Sequence, residues 1–215
     1  MPLTEKQVEQ LFEFTKKKYV QYYDLQVELV DHLAESIEEE LEKDPSIGFE
    51  KALEKVYKTF GLFGFGKIVQ EKEAAMRKQS KNMWLSELRQ FFTIPKIFLT
   101  LTIFISALLV GQYVHEVTRM LAVLVFWIIF TIIEVKNLKQ VNKKRTRKLL
   151  CLSTSEHATV GSFLFPYWIM IPSEIQSHWF FAILITFIFL VEAAVIEVNK
   201  KIRERAILQY PEAFA

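Results

Sequence analysis

The sequence predicts an all-α protein: an N-terminal cytosolic helical bundle followed by a four-helix transmembrane domain. Only six glycines and six prolines interrupt 215 residues, and the abundance of Leu, Ile, Phe, Glu and Lys favours helices. Two apolar runs, 94–135 and 149–198, are long enough to enter a bilayer. Residues 1–80 carry 12 Lys or Arg and 16 Asp or Glu, whereas residues 81–215 carry 15 and 9. An acidic, water-soluble domain therefore precedes a basic, apolar one.

The cytosolic domain, residues 1–80, is predicted from helical periodicity and from helix-ending signals. Thr4 and Gln7 form a capping-box pattern that starts the first helix. The second has an apolar stripe opposite an acidic face and ends before Pro45. The third ends at Gly61. A fourth begins at Lys67 and runs into an interfacial linker helix, whose aromatic cluster predicts contact with the lipid interface. The predicted ranges are 5–18, 24–43 and 49–60, with the linker helix at 81–93.

The stretch KNLKQVNKKRTRK, residues 136–148, predicts the topology of the membrane domain. It contains seven Lys or Arg residues and no acid. Because Lys and Arg near span ends stay in the cytoplasm, this loop is predicted to be cytoplasmic. A nucleic-acid-binding role would need a recognisable binding fold, so we expect no nucleic acid partner. The lipid bilayer is the expected partner, and both termini, including the tail 199–215, are predicted to be cytoplasmic. The four predicted spans are 94–114, 120–135, 149–172 and 180–198.

Ionisable residues inside predicted spans are candidates for function, because burying them in lipid is costly. Glu156 and His157 lie in the third span and Glu192 lies in the fourth. All three would lie roughly 9–12 Å below the cytoplasmic ends of their helices. We expect Glu192 to contact His157. Two other interpretations stay open: these residues seal a polar patch between helices, or the third span starts near Ala158 and leaves Glu156 among the headgroups.

Two features of the cytosolic domain predict a surface that binds a protein. The turn GLFGFGK, residues 61–67, displays Phe63 and Phe65; no strand precedes it and Ile68 follows Lys67, so it is not a phosphate loop. The second helix has an acidic face with Glu28, His32 and Glu35. A metal site there is disfavoured, because zinc usually takes several His or Cys ligands. We find no nucleophile–base pairing or nucleotide fingerprint, and expect neither an enzyme nor a cofactor.

Residues 20–66 resemble the HAAS-type α-helical domain of bacterial membrane proteins. The matching elements are Tyr22-Tyr23, Glu28-Leu29-x-x-His32-Leu33-x-Glu35, Phe49-x-x-Ala52-Leu53 and Phe60-Gly61. In that family the module precedes membrane spans on the cytosolic side and is thought to serve signalling, often near genes for PadR-like regulators. The resemblance implies a multi-pass protein of the bacterial cytoplasmic membrane.

Two hypotheses for function follow from different classes of protein. The first is a membrane-anchored signalling or adaptor protein whose N-terminal helical domain binds a cytosolic protein, or another membrane protein. The second is a small multi-pass transporter or permease subunit that acts as a homodimer. It rests on the intramembrane acids and on a weak repeat: residues 115–135 and 178–198 match at six of 21 positions. Shared span composition explains these matches as well as duplication does.

Overall fold

The computed structural model describes residues 2–61, 63–156 and 177–214. Every regular element in these residues is a helix and none is a strand, so the all-α prediction is confirmed. The helices are α1 Glu5–Lys17, α2 Tyr23–Lys43, α3 Phe49–Thr59, α4 Gly66–Gln90, α5 Lys96–Tyr113, α6 Glu116–Lys144, α7 Leu150–Glu156 and α8 His178–Gln209, and a 3₁₀ turn Pro211–Ala213 follows.

The chain folds into two compact units whose limits differ from the predicted domains. Unit 1 contains Met1–Arg77, Arg145–Thr154 and Ala206–Ala215. Unit 2 contains Lys78–Lys144 and Ser155–Arg205. The prediction had treated residues 1–80 as a domain by itself. The two additional segments of unit 1 are far away in sequence, and a contact over such a separation leaves no local periodicity by which to predict it.

The apolar stripes of α1, α2 and α3 form the core of unit 1. The capping box is confirmed: the Thr4 N–H donates to Oε1 of Gln7 at 2.8 Å, and the Gln7 N–H donates to Oγ1 of Thr4 at 3.4 Å. Both bonds satisfy amides that a helix start leaves free. The core also includes three residues from outside these helices, Val20, Phe65 and Leu150, and Leu150 is 1% exposed. The fully enclosed members from the three helices include Leu11, Leu25, Leu33 and Ile37.

The turn between α3 and α4 does not present two aromatic residues to solvent, as the sequence predicted. Phe63 is 83% exposed, but Phe65 is only 2% exposed. The ring of Phe65 lies 5.0 Å from that of Phe60 and 5.2 Å from that of Tyr57. The prediction of an exposed Phe65 was therefore wrong. Alternating residues in a tight turn point in opposite directions, and burial of a large ring is strongly favourable.

Within the described residues, three helical segments are long and apolar enough to cross a membrane: α5, α8 and the residues Glu116–Ile133 of α6. Half of the apolar window of α8 is buried inside the protein, against 11% for α5 and 6% for α6. Val123 and Phe126 of α6 pack with α8 near Phe181 and Phe189. Among these three helices α8 is thus the most enclosed by protein, and α5 and α6 leave large apolar side chains exposed, as lipid-facing helices do.

Two parts of unit 2 differ from the predicted arrangement. The α6 helix continues to Lys144, so most of the basic stretch that was predicted as a loop is helical. No Gly or Pro interrupts it, and Lys, Gln and Leu support a helix. The predicted interfacial linker is the end of α4, and its Phe91 is 8% exposed because it packs against Leu190 and Ala194 of α8. Side-chain packing, rather than lipid, covers that aromatic residue.

Candidate functional site

The carboxylate of Asp24, at the start of α2, caps the start of α7. Asp24 is 3% exposed. Its Oδ1 accepts the N–H of Leu150 at 2.9 Å and its Oδ2 accepts the N–H of Cys151 at 3.0 Å. The first amides of a helix have no partner within the helix, and a carboxylate supplies both acceptors and a favourable negative charge. An acid 126 residues away in sequence thus supplies the acceptors that α7 lacks.

The neighbouring Tyr23 contacts both additional segments of unit 1. Its N–H donates to the carbonyl of Lys148 at 2.8 Å, and its hydroxyl donates to the carboxylate of Glu212. The guanidinium of Arg147 lies 4.4 Å above the Tyr23 ring, a cation–π distance. Burial, and then the hydrogen bond to Glu212, raises the pKa of Tyr23, so its hydroxyl stays a donor at neutral pH.

The two additional segments are also bonded to each other. The N–H of Thr146 donates to the carbonyl of Ala213 at 2.8 Å, and the Thr146 hydroxyl donates to the same oxygen at 3.2 Å. We call this set of contacts the α2 joint. It ties α2 simultaneously to the segment between α6 and α7 and to the C-terminal segment. Its members are Tyr23, Asp24, Thr146, Arg147, Lys148, Leu150, Cys151, Glu212 and Ala213.

An open cleft of about 510 Å³ lies beside the α2 joint. Phe12 of α1 and Tyr23 line it, with ring centroids 6.1 Å apart in a stacked arrangement. Acidic side chains of α1 line it as well, together with joint residues of both charges. A group that entered this cleft would touch the joint directly. The charged residues in the lining are Glu5, Glu9, Glu13, Lys16, Arg147, Lys148 and Glu212.

The residues proposed for partner binding are distributed over several surroundings. Glu28 forms an ion pair with Lys72 of α4. His32 and Glu35 lie exposed on α2, where a partner can reach them. Phe63 is exposed and Phe65 is in the core. The structure does not bring Phe63 and Phe65 together on one surface. The acidic face of α2 remains a candidate surface through His32 and Glu35.

Of the intramembrane candidates, only Glu192 can be placed. It lies on α8 and is 2% exposed. The side chain of Glu156 and the whole of His157 lie outside the described residues, so the contact between His157 and Glu192 stays a prediction. Neighbouring Ala194 packs against Phe91, which directly follows α4. Among the described residues, no three His, Cys, Asp or Glu side chains come together in a group that could hold a metal ion.

Sequence reasoning missed the α2 joint. Asp24 has no predicted role, because an acid in the first turn of a helix is normally explained by the helix dipole. Tyr23 was noted only as part of the tyrosine-rich lead-in, and Arg147 only as one of seven cations. A usable signal was present: Asp24 and Gln26 flank Leu25, so polar residues share the buried first turn of α2. Such residues need partners from elsewhere in the fold.

The thiol of Cys151 is predicted to react slowly with alkylating reagents in the folded protein. Burial, and then the adjacent charge of Asp24, raises the pKa of Cys151 to about 12. The thiolate is the reactive species, so at pH 8 only about one thiol in 10⁴ would be ionised. Because Cys151 is the single cysteine of the chain, the rate of labelling by iodoacetamide measures opening of the joint. Labelling in urea provides the reference. Equal rates in native and unfolded protein would contradict the prediction.

No family model matches this chain, and neither a curated protein nor a solved structure shows significant similarity to it.

Proposed function

We propose that this protein is a membrane-anchored signalling or adaptor protein whose N-terminal helices bind a cytosolic protein partner. The observation that supports this most directly is the α2 joint. Asp24 and Tyr23 tie α2 to chain segments next to apolar helices that are long enough to cross a membrane. The HAAS-type resemblance of residues 20–66 points to the same class of function, and the joint lies at the start of that region.

The α2 joint suggests how the N-terminal helices and the apolar helices influence each other. A displacement of α7 or of the C-terminal segment changes hydrogen bonds at Asp24 and Tyr23, the first residues of α2. The same helix carries His32 and Glu35 on its exposed face. Suppose that a partner binds α2 more tightly in one arrangement of the joint than in the other. By linkage, the partner then shifts the equilibrium between the two arrangements by the difference between its two binding free energies. Binding and membrane events would then influence each other.

The fact that unit 1 is made of three separate chain segments supports four crossings of the bilayer. Its three segments fold together and so lie on one side of the membrane. Between Arg77 and Arg145 the chain has two apolar helices, α5 and α6, which carry it across and back. Between Thr154 and Ala206 it has α8, so a return to the same side requires one more crossing. We propose that the predicted third span supplies it and starts after Thr154, which agrees with the alternative start near Ala158.

Reporter fusions test this topology. We expect a fusion at Lys143 to report the cytoplasm, because the basic stretch follows the positive-inside rule, and a fusion at Ser177 to report the outer side. We expect the protein to lie in the inner membrane of a bacterium, with both termini in the cytoplasm. Alkaline phosphatase and green fluorescent protein, active on opposite sides, provide paired readouts at each position. If Lys143 and Ser177 report the same side, the four-crossing arrangement is wrong.

Site-specific photo-crosslinking in living cells tests the proposed partner. The full-length protein is used, because unit 1 contains segments from three parts of the chain. A photoreactive residue at His32, on the exposed face of α2, and another at Gln21, in the cleft beside the joint, should yield a discrete protein adduct. The matched control is Lys51, exposed on α3.

Two results decide the proposal. An adduct of defined mass from His32 or Gln21, without a counterpart from Lys51, supports a specific partner, which mass spectrometry identifies. Absence of an adduct from both positions, while the protein stays folded and in the membrane, contradicts it. A variant with Asp24→Ala is informative here, because a partner that senses the joint should then crosslink with changed yield.

A second candidate function, a transporter or permease subunit, is favoured by Glu192. A carboxyl group that is 2% exposed on an apolar helix is unusual, and such groups often mark ion or substrate pathways. The test is flux or proton movement in proteoliposomes with Glu192→Gln as the matched variant. A loss of flux in the variant at unchanged folding would support transport, and absence of flux in the unchanged protein would remove this candidate.

A further inference from the structure

Tyr19, directly after α1, is both strained and exposed. The Lys18 N–H donates to the Phe14 carbonyl at 3.0 Å and the Val20 N–H to the Thr15 carbonyl at 3.1 Å, which closes the helix in a left-handed cap. Tyr19 occupies the left-handed position with φ +66°, where glycine is strongly preferred. Its side chain is 88% exposed. Tyr19 therefore stabilises unit 1 neither through a relaxed backbone conformation nor through burial of its ring.

Phe63, in the turn between α3 and α4, is exposed by a comparable arrangement. Glycines at positive φ flank it: Gly61 at +74° and Gly64 at +50°. A side chain at residue 64 would collide with the hydroxyl of Tyr57, so the tight turn depends on glycine there. The turn buries Phe65 and leaves Phe63 83% exposed. A large apolar ring so exposed on a turn is a candidate contact residue.

The chain neighbours of both exposed rings contact one side chain, that of Tyr57. The Lys18 ammonium lies 4.5 Å from the centroid of the Tyr57 ring, and Gly64 abuts its hydroxyl. The Tyr57 ring packs edge-on against Phe14 at 5.0 Å. Tyr19 follows Lys18 in the chain and Phe63 precedes Gly64, so each exposed residue is the chain neighbour of a residue that contacts Tyr57. We call Tyr19 and Phe63 the aromatic tip.

The charge around the aromatic tip complements an anionic surface. The segments 16–19 and 61–67 contain four lysines and no acid. Lys16 and Lys67 form ion pairs with Glu13 and Glu71. Lys17 and Lys18 add positive charge immediately beside Tyr19. Exposed aromatic rings next to lysines are typical of segments that enter the headgroup region of anionic bilayers.

We propose that the aromatic tip inserts into the headgroup region of an anionic lipid bilayer. The chain contains helices long and apolar enough to cross a membrane, so unit 1 is held near lipid at a high effective concentration and a weak contact is sufficient. An acidic protein would fit the same charge, but it would have to be recruited, whereas the bilayer is already present. This lipid contact is separate from the partner-binding face of α2.

Fluorescence quenching in nanodiscs tests the contact. Full-length protein with Cys151→Ser and Phe63→Cys is labelled with the aromatic fluorophore NBD, and nanodiscs contain either phosphatidylglycerol or phosphatidylcholine alone. A doxyl-labelled lipid is the quencher. The matched control carries Glu35→Cys, an exposed site on α2. With phosphatidylglycerol we expect at least twofold stronger quenching at residue 63 than at residue 35, and a smaller difference with phosphatidylcholine.

Two variants separate a role in lipid binding from a role in folding. Tyr19→Gly should weaken quenching at residue 63 while raising the melting temperature or leaving it unchanged, because glycine relieves the left-handed strain. Lys17→Glu should weaken quenching only with phosphatidylglycerol. The proposal is overturned if residues 63 and 35 are quenched equally with phosphatidylglycerol. The proposal is also overturned if the fluorophore at residue 63 becomes protected from solvent only when cytosolic extract is added, because that result assigns the aromatic tip to a protein partner.

Discussion

Replacing Asp24 with alanine is expected to lower the free energy of unfolding of the full-length protein by about 3 kcal/mol, because the amides of Leu150 and Cys151 lose this carboxylate as acceptor. The N–H groups of Leu150 and Cys151 lie in the first turn of α7, where a helix supplies no carbonyl acceptor of its own. Urea unfolding in detergent, followed by circular dichroism, measures the change. Alkylation of Cys151 in native protein should accelerate at the same time.

The matched control for this prediction is Asp31→Ala on the same helix. Asp31 is exposed, so its removal should change the free energy of unfolding by no more than about 0.5 kcal/mol. Asp24→Asn keeps one acceptor oxygen and should lie between the two. If Asp24→Ala and Asp31→Ala unfold alike and Cys151 stays protected, the carboxylate does not hold α7 and the proposed coupling through the joint is wrong.

Truncating Phe65 should cost about 3–5 kcal/mol of unfolding free energy, the range for removal of a buried phenyl ring. Phe65→Ala opens a cavity between the rings of Phe60, Tyr57 and Phe14, whose centroids lie 5.0, 5.2 and 6.2 Å from that of Phe65. The measurement is the same urea titration, with the melting temperature as a second readout.

Phe63→Ala is the matched control for Phe65, two residues away in the same turn. The Phe63 side chain is 83% exposed, so its removal should change the free energy of unfolding by no more than about 0.5 kcal/mol. This pair discriminates sharply between the predicted turn, in which both rings are exposed, and the observed one. Equal and small effects of the two substitutions would show that Phe65 does not belong to the core.

The joint places constraints on how the proposed signalling could work. It uses neutral and charged hydrogen bonds at the beginning of α2, and the exposed acidic residues of α2 lie further along the same helix. A helix transmits a displacement along its axis without internal rearrangement, since its hydrogen-bonded turns keep their geometry. A change at Asp24 therefore reaches His32 and Glu35 by movement of the whole of α2.

The starts and ends of α1, α2 and α3 could be read from the sequence to within about one residue. Each depends on neighbouring residues only: Thr4 with Gln7 in the capping box, Pro45 after Asp44, and Gly61 after the last turn of α3. The long apolar character of α5, α6 and α8 was equally evident, because composition over about 20 residues decides whether a helix can cross a bilayer.

Local sequence patterns could not predict the structure wherever two different structures agreed with the same sequence. The basic stretch after residue 136 agrees with a cytoplasmic loop by the positive-inside rule and with a helix by its residue types, and α6 runs on to Lys144. The alternation in GLFGFGK shows that Phe63 and Phe65 share a turn, but which ring is buried depends on where Tyr57 and Phe14 lie. For the turn, packing of Phe65 against distant residues chose between the two outcomes.

The sequence by itself determined the helical class, the apolar helices and the charge asymmetry of this protein, since periodicity and composition act over short distances. Only the tertiary structure decided that residues 145–154 and 206–215 belong to the same unit as the N-terminal helices. The reason is physical. The buried carboxylate of Asp24 needs hydrogen-bond donors, and the amides in the first turn of α7 need an acceptor from outside the helix. Which of many distant groups meet is settled when the chain folds.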